Sequence, residues 1–231
     1  AARAVAGGAT EFRRDGRVVI VGASLAGARA AAVLRREGFT GSLTMIGDEP
    51  HPPYDRPPLS KRILSGEVPA EHTLLPRLRE EIGAEWLLGT AATGLDLAAK
   101  RVRLADGREV AFDRVLIATG TRARPWPHEA EAALEGVHVL RTMEDSARLR
   151  TALADRPGRV LVIGAGFTGS EVASACRDLD LPVTVVERGK APLVGALGAV
   201  IGAVAADLQR AAGVDLRCGV TVSALEGDGA G

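Results

Sequence analysis

"RVVIVGASLAGARAAAVLRREGFTGSLTMIGDE" runs from Arg17 to Glu49. It opens on a β-branched run, turns on glycines and continues as an alanine-rich amphipathic stretch. A second apolar run follows and closes on acids. That order predicts strand, tight turn, helix and parallel strand, with the helix as crossover. The pattern recurs as "RVLVIGAGFTGSEVASACRDLDLPVTVVER", from Arg159 to Arg188. A lone GxGxxG is weak. Here each copy follows a predicted strand, opens a predicted helix and leads to an acid at a fitting distance. Two such units predict an α/β fold with two Rossmann-like dinucleotide-binding units and parallel sheets.

The first turn reads Gly22-Ala23-Ser24-Leu25-Ala26-Gly27, with Ser24 where the middle glycine of the motif usually lets backbone approach a pyrophosphate. Serine is small, and its hydroxyl can itself donate to a phosphate. Ala28, Ala30, Ala31 and Ala32 let the helix sit close to its sheet. The helix start, at Leu25 and Ala26, offers N–H groups and a positive dipole end to an anion. Asp48 or Glu49, after "SLTMI", would accept hydrogen bonds from ribose hydroxyls.

The second turn keeps all three glycines, Gly164, Gly166 and Gly169, with Phe167 and Thr168 opening the helix. Glu187 ends "VTVVE". A carboxylate there suits the ribose hydroxyls of NAD and repels the 2′-phosphate of NADP, so NADH is expected over NADPH, with adjacent Arg188 blunting the preference. Glu171 lies in the first helical turn. It either complements the helix dipole or points toward the reacting end and pairs with a cation.

Between the units, Val102 and Leu104, then Val110 and Phe112, alternate across Asp106-Gly107 and predict a hairpin. "VLIATG" predicts a further buried strand. "YDRPPLSK", residues 54–61, is a rigid double-proline kink flanked by Arg56 and Lys61.

The remaining composition narrows the classes. At 46% hydrophobic and 25% charged, the 231 residues are ordinary globular usage. Lysines and arginines number 29 and acids number 29, so no charge excess points to nucleic acid or a membrane surface. No uncharged apolar run reaches the ~18 residues of a membrane span. Cys176 and Cys218 are distant and form no CxxC or CxxxxC, which argues against a dithiol redox pair and against a metal site; a cytoplasmic setting is expected. His51, His72, His128 and His138 share no ligand-like spacing, so no metal is expected. Residues 1–16 are expected to be a disordered N-terminus.

The succession GxSxxG, "PYDRPPLSK", "DRVLIATGTRARPWP" and "GAGFTGSE…VVER" resembles the FAD-dependent pyridine nucleotide oxidoreductases. Within them it is most similar to the ferredoxin and putidaredoxin reductase branch, related to apoptosis-inducing factor. The resemblance covers about Arg17 to Glu226, and RPPLSK is its most specific element. It implies FAD and NADH as cofactors, and a [2Fe-2S] ferredoxin serving a Rieske oxygenase or cytochrome P450 as electron acceptor. It implies an FAD-binding domain over 17–145 and an NAD(H)-binding domain over 146–231. Both are expected to be incomplete, because the family's return FAD segment and interface domain would follow; Asp228, in "GDG", is not assigned to that segment. Arg56 would reach the FAD pyrophosphate, Lys61 would lie at the flavin and pair with Glu171 beside the nicotinamide, Arg124 would line the FAD, and Ala92 would contact the adenine. The alternatives are a reductase for rubredoxin or a nitrite-reductase system, and a nucleotide-binding redox sensor of the apoptosis-inducing-factor type.

Overall fold

The computed structural model describes residues 2–227, the side chains of residues 2–7 and 9 apart; Asp228 lies outside them. Contacts divide the chain into two compact units, Ala1–Asp55 with Thr73–Thr121, and Arg56–His72 with Arg122–Gly231. This division differs from the one expected at residue 145. The RPPLSK segment and residues 122–145 group with the second unit, because the 3-10 helix Pro57–Ser60 lies against helices of that unit.

The first unit contains α1 (Ala2–Asp15), β1 (Arg17–Val21), α2 (Leu25–Arg36), β2 (Ser42–Ile46), α3 (Pro76–Ile82) and β3 (Glu85–Leu87). β4 (Ala92–Asp96), β5 (Arg101–Leu104), β6 (Glu109–Ala111) and β7 (Arg114–Ile117) follow. A parallel sheet runs β3-β2-β1-β7, and an antiparallel sheet runs β4-β5-β6. Side chains alternate across β1 and serve two cores. Val18 and Ile20 pack with Ala28 and Ala31 of α2 and with Ile82 of α3; Val19 packs with Val102, Leu104 and Phe112.

The hairpin forms where expected, with Val102 opposite Val110. β4 adds a third strand that the sequence pattern does not announce, since Gly94 interrupts it and its register shifts between Ala92 and Gly94. The N-terminus corrects the expectation of disorder: α1 is helical through Asp15. Its alanine content favours helix, and its last turn is anchored. The Phe12 ring lies 5.7 Å from that of Phe39, and the Arg13 carbonyl accepts from the Thr40 and Gly41 amides.

The second unit holds the 3-10 helix, then α4 (Glu129–Ala132), α5 (Met143–Ala154), β8 (Val160–Ile163), α6 (Phe167–Asp178), β9 (Val183–Glu187), α7 (Val194–Ala211) and β10 (Asp215–Cys218). Its parallel sheet runs β10-β9-β8. α5 opens on a reciprocal capping box between Thr142 and Asp145. Ala173 and Cys176 of α6 pack on Val183 and Val185 of β9. By length and composition α7 could cross a membrane, although Asp207 and Arg210 lie within it and Gly198 breaks its helical geometry.

The duplication extends to a feature that the motifs do not display. Arg35, near the end of α2, donates to the carbonyls of Ile82, Phe39, Gly41 and Gly83 at 2.7–3.1 Å. Arg177 occupies the same turn of α6 and donates to the Leu181 and Ala212 carbonyls at 2.9 and 3.1 Å. Each guanidinium ties the end of the crossover helix to the chain entering the next strands. Partial burial lowers the Arg35 guanidinium from its ordinary value by desolvation, and it remains charged.

Two outcomes test this packing. A Cβ on Gly27 would overlap the Gly22 carbonyl oxygen, whereas one on Gly195 in α7 meets nothing within 4 Å. Gly27→Ala should therefore destabilise by about 1–3 kcal/mol, the usual overpacking range. Gly195→Ala should stabilise by up to about 1 kcal/mol; urea unfolding gives both signs. The second outcome concerns Cys176, whose thiol burial pushes up from 9.0 to about 11. Between those values the folded chain keeps a proton that the unfolded chain releases, so stability falls as pH rises through this window. Cys176→Ala should flatten that slope in unfolding measured from pH 8 to 11.

Candidate functional site

Both glycine turns place a helix N-terminus at the end of a strand. In the first unit Gly22 has φ +119°, and a Cβ there would overlap the Ala118 backbone, where "ATG" leaves β7. Ser24 caps α2 from an extended backbone and makes no capping bond through its side chain. Leu25, Ala26 and Gly27 then supply the first helical amides. In the second unit Gly164 has φ +100°, Gly166 is the cap, and Phe167, Thr168 and Gly169 supply the amides. Beside Gly166 an added Cβ would meet nothing within 4 Å. The α6 N-terminus thus faces open space, as a phosphate cradle requires.

The acids of the two units are not equivalent. The Gly22 amide bonds the Ile46 carbonyl and the Gly164 amide bonds the Val186 carbonyl, each at 2.8 Å. This register matches Glu187 with Gly47 and Arg188 with Asp48. Position 47 is closed, because a Cβ there would come within 2.7 Å of the Ala23 Cβ. The first unit's acids stand one and two residues later. Asp48 is exposed, and Glu49 accepts from the Tyr54 hydroxyl at 2.5 Å. In the second unit the Glu187 carboxylate accepts from the Ala165 amide at 2.7 Å and from the Gly189 amide at 2.6 Å. It fixes the glycine turn and the loop after β9 while presenting a negative charge beside them.

The kinked segment places Lys61 against Glu171. Lys61 Nζ lies 3.0 Å from Glu171 Oε1, with side chains 45% and 29% exposed. Lys61 Nζ also donates to the Pro57 carbonyl at 2.8 Å. The pair is half open to solvent, so the contact itself contributes about 0.2–1 kcal/mol. Its interest lies in a fixed cation against α6 at Glu171, the fifth residue of the helix, which stands beyond the first turn where it was expected.

Arg56 donates to the Arg141 carbonyl at 3.0 Å. Arg124 is exposed, in the irregular segment after β7. Ala92 begins β4 and packs against the core around Val19 and Val102. Motif reading passed over Tyr54 and Ser60, although both sit inside the octet that drew attention to Arg56 and Lys61. It also passed over Ser146, which no local pattern marks and whose hydroxyl donates to the Leu59 carbonyl at 2.9 Å. Among the described residues, no group of three or more His, Cys, Asp or Glu could hold a metal ion.

The family model described as pyridine nucleotide-disulphide oxidoreductase matches residues 16–230. The chain is 41% identical to the ferredoxin–NAD(+) reductase component of the p-cumate 2,3-dioxygenase system of Pseudomonas putida, over 92% of this chain and 53% of the relative. It is 40% identical to the corresponding biphenyl dioxygenase component of Paraburkholderia xenovorans, over 92% and 52%. Among solved structures, the covalent putidaredoxin reductase–putidaredoxin complex matches with a TM-score of 0.83 at 34% identity, over 92% of this chain and 52% of that one. The ferredoxin reductase for the CYP199A2 system of Rhodopseudomonas palustris matches with a TM-score of 0.85 at 30% identity, over 93% and 53%. The chain spans about half the length of the curated relatives it matches.

If Glu187 holds the glycine turn, Glu187→Ala should speed amide exchange at Ala165 and Gly189 by roughly tenfold or more, as expected for loss of hydrogen bonds to a charged acceptor. Exchange at Val18 to Val21 in β1 should not change. Hydrogen-exchange mass spectrometry reads both segments.

Proposed function

Because the chain belongs to the pyridine nucleotide-disulphide oxidoreductase family, we propose that it is the nucleotide-binding part of an NADH:ferredoxin oxidoreductase. The observation that carries this reading is the Lys61–Glu171 pair, which joins the RPPLSK segment to the helix opened by the second glycine turn. Relatives named as ferredoxin–NAD(+) reductase components of dioxygenase systems support it, as does the putidaredoxin reductase–putidaredoxin complex. The spacing of Cys176 and Cys218, one buried and one half-buried, favours electron transfer over disulfide reduction.

We assign residues 17–145 to FAD binding and 146–231 to NAD(H) binding. The glycine turns fit these groups through the first helical amides of α2 and α6 and, at Gly166, the open space that a side chain would fill. Gly22, Ser24, Leu25, Ala26 and Gly27 would hold the FAD pyrophosphate, with Asp48 or Glu49 toward its ribose. Gly164, Gly166, Phe167, Thr168 and Gly169 would hold the NADH pyrophosphate, with Glu187 toward its ribose. Arg56, Arg124 and Ala92 complete the assigned FAD contacts. When bound, the two cofactors supply the redox chemistry: hydride from nicotinamide to flavin, then single electrons to a [2Fe-2S] ferredoxin of an oxygenase or cytochrome P450 system.

Lys61 holds a positive charge at the reacting end and favours added electron density there. Glu171 keeps that cation in place and moderates its field. Glu187 orients the nicotinamide nucleotide through its ribose and disfavours a 2′-phosphate. The free thiols accord with the reducing cytoplasm, where we place the protein.

The full-length protein, reconstituted with FAD, should be reduced rapidly by NADH and should pass single electrons to a [2Fe-2S] ferredoxin in stopped-flow mixing. Slow reduction coupled to a change of oligomeric state would favour the redox-sensor alternative. Lys61→Met should lower the flavin midpoint potential and Glu171→Gln should raise it; shifts of the same sign would remove the electrostatic role. Glu187→Ala should raise the KM for NADH by roughly three- to tenfold, as loss of hydrogen bonds worth about 0.5–1.5 kcal/mol each predicts. Wild-type preference for NADPH would transfer control of the site to Arg188.

A further inference from the structure

The carboxylate of Glu171 is held at both oxygens, by adjacent residues of one segment. Oε1 faces Lys61 Nζ at 3.0 Å, and Oε2 accepts from the Ser60 hydroxyl at 2.5 Å. Ser60 is buried, at 6% exposure. Its hydroxyl also lies 3.3 Å from the Pro57 carbonyl. It carries one proton, and the shorter distance together with the charged acceptor directs that proton to Glu171.

The hydroxyl is itself placed by the fold. Ser60 ends the 3-10 helix that Pro57 and Pro58 stiffen. The preceding residue, Leu59, is buried, and its carbonyl accepts from the buried Ser146 hydroxyl of α5. Glu171 sits on α6 and could adopt other rotamers toward solvent, since its side chain is 29% exposed. Lys61 alone would not select one of them. A lysine ammonium is a mobile point charge that a carboxylate can meet from several directions. The Ser60 hydroxyl is short, buried and directional, and it fixes which oxygen turns to Lys61.

We propose that Ser60 is the positioning residue for Glu171: it anchors one carboxylate oxygen so that the other meets Lys61. This rests on the assignment of the Lys61–Glu171 pair to the reacting end of the cofactors. Ser60 adds no charge of its own, so it orients the carboxylate without neutralising it. Without the anchor the carboxylate samples positions farther from Lys61, and the cation is less compensated. Loss of Ser60 should therefore act in the direction of Glu171→Gln, but less strongly.

The test uses the full-length protein with FAD bound. The flavin midpoint potential is measured against a reference dye, without NADH, for Ser60→Ala and for the near-isosteric Ser60→Cys, each in wild-type and Glu171→Gln backgrounds. Both substitutions should raise the potential in the wild-type background and leave it unchanged in the Glu171→Gln background. The NADH dissociation constant should change less than about threefold. In the cofactor-free protein the melting shifts of Ser60→Ala and Glu171→Gln should be less than additive. A potential that does not move, or that moves equally in both backgrounds, overturns the inference. Because the potential is read without NADH, failure of wild-type flavin to accept hydride would overturn the proposed function and leave this reading of Ser60 to its own result.

Discussion

The structure depends on one close approach, made twice. The first turn of α2 lies so near β1 that the Gly22 carbonyl oxygen occupies the space a side chain on Gly27 would need. Gly169 and Gly164 repeat the arrangement between α6 and β8. This contact sets where the helix begins, and therefore where its unpaired amides point. The alanines of α2 let the rest of the helix follow it down onto the sheet, and Arg35 and Arg177 hold the far ends. The helix end that we assign to anion binding in each unit is thus a by-product of packing a helix against a strand with no side chain between them.

The two copies then diverge at one position. Gly47 lies against Ala23 in the first unit, while the second unit, with Ala165 in the place of Ala23, carries Glu187 at the equivalent position and turns its carboxylate onto its own glycine turn. The acid of the first unit is displaced along the chain, where Tyr54 meets Glu49. The copies share a backbone plan, but they present negative charge at different distances from the strand end. This difference accords with the two different nucleotides that we propose for the two units.

Much of this was legible in the sequence because it rests on short-range rules. Glycine spacing, β-branched runs and the Asp106-Gly107 turn each constrain only a few neighbouring residues, and they place β1, α2, β2, β8, α6, β9 and the β5–β6 hairpin. β4 was not legible, because Gly94 breaks its alternation and pairing with β5 supplies its order. The helical N-terminus was missed because its anchor is tertiary: the Arg13 carbonyl needs the Thr40 and Gly41 amides. The meeting of Lys61 with Glu171 came from family resemblance, not from spacing. The roles of Ser60 and Ser146 had no local signal, since each becomes visible only when a partner distant in the chain is known.

The segment Arg56–His72 belongs by contacts to the second unit, although the residues on both sides of it belong to the first. The chain therefore crosses between units at residues 55/56, 72/73 and 121/122. Neither unit corresponds to one continuous stretch of gene, so a single cut cannot separate them, and an exchange of either between relatives needs two junctions in addition to the one near residue 121. There is also a consequence in time. During synthesis Ser60 and Lys61 emerge long before Glu171. The acid that completes the cluster arrives only after α6 has been made. Assembly of that cluster thus reports that the second unit has folded around a segment made before it.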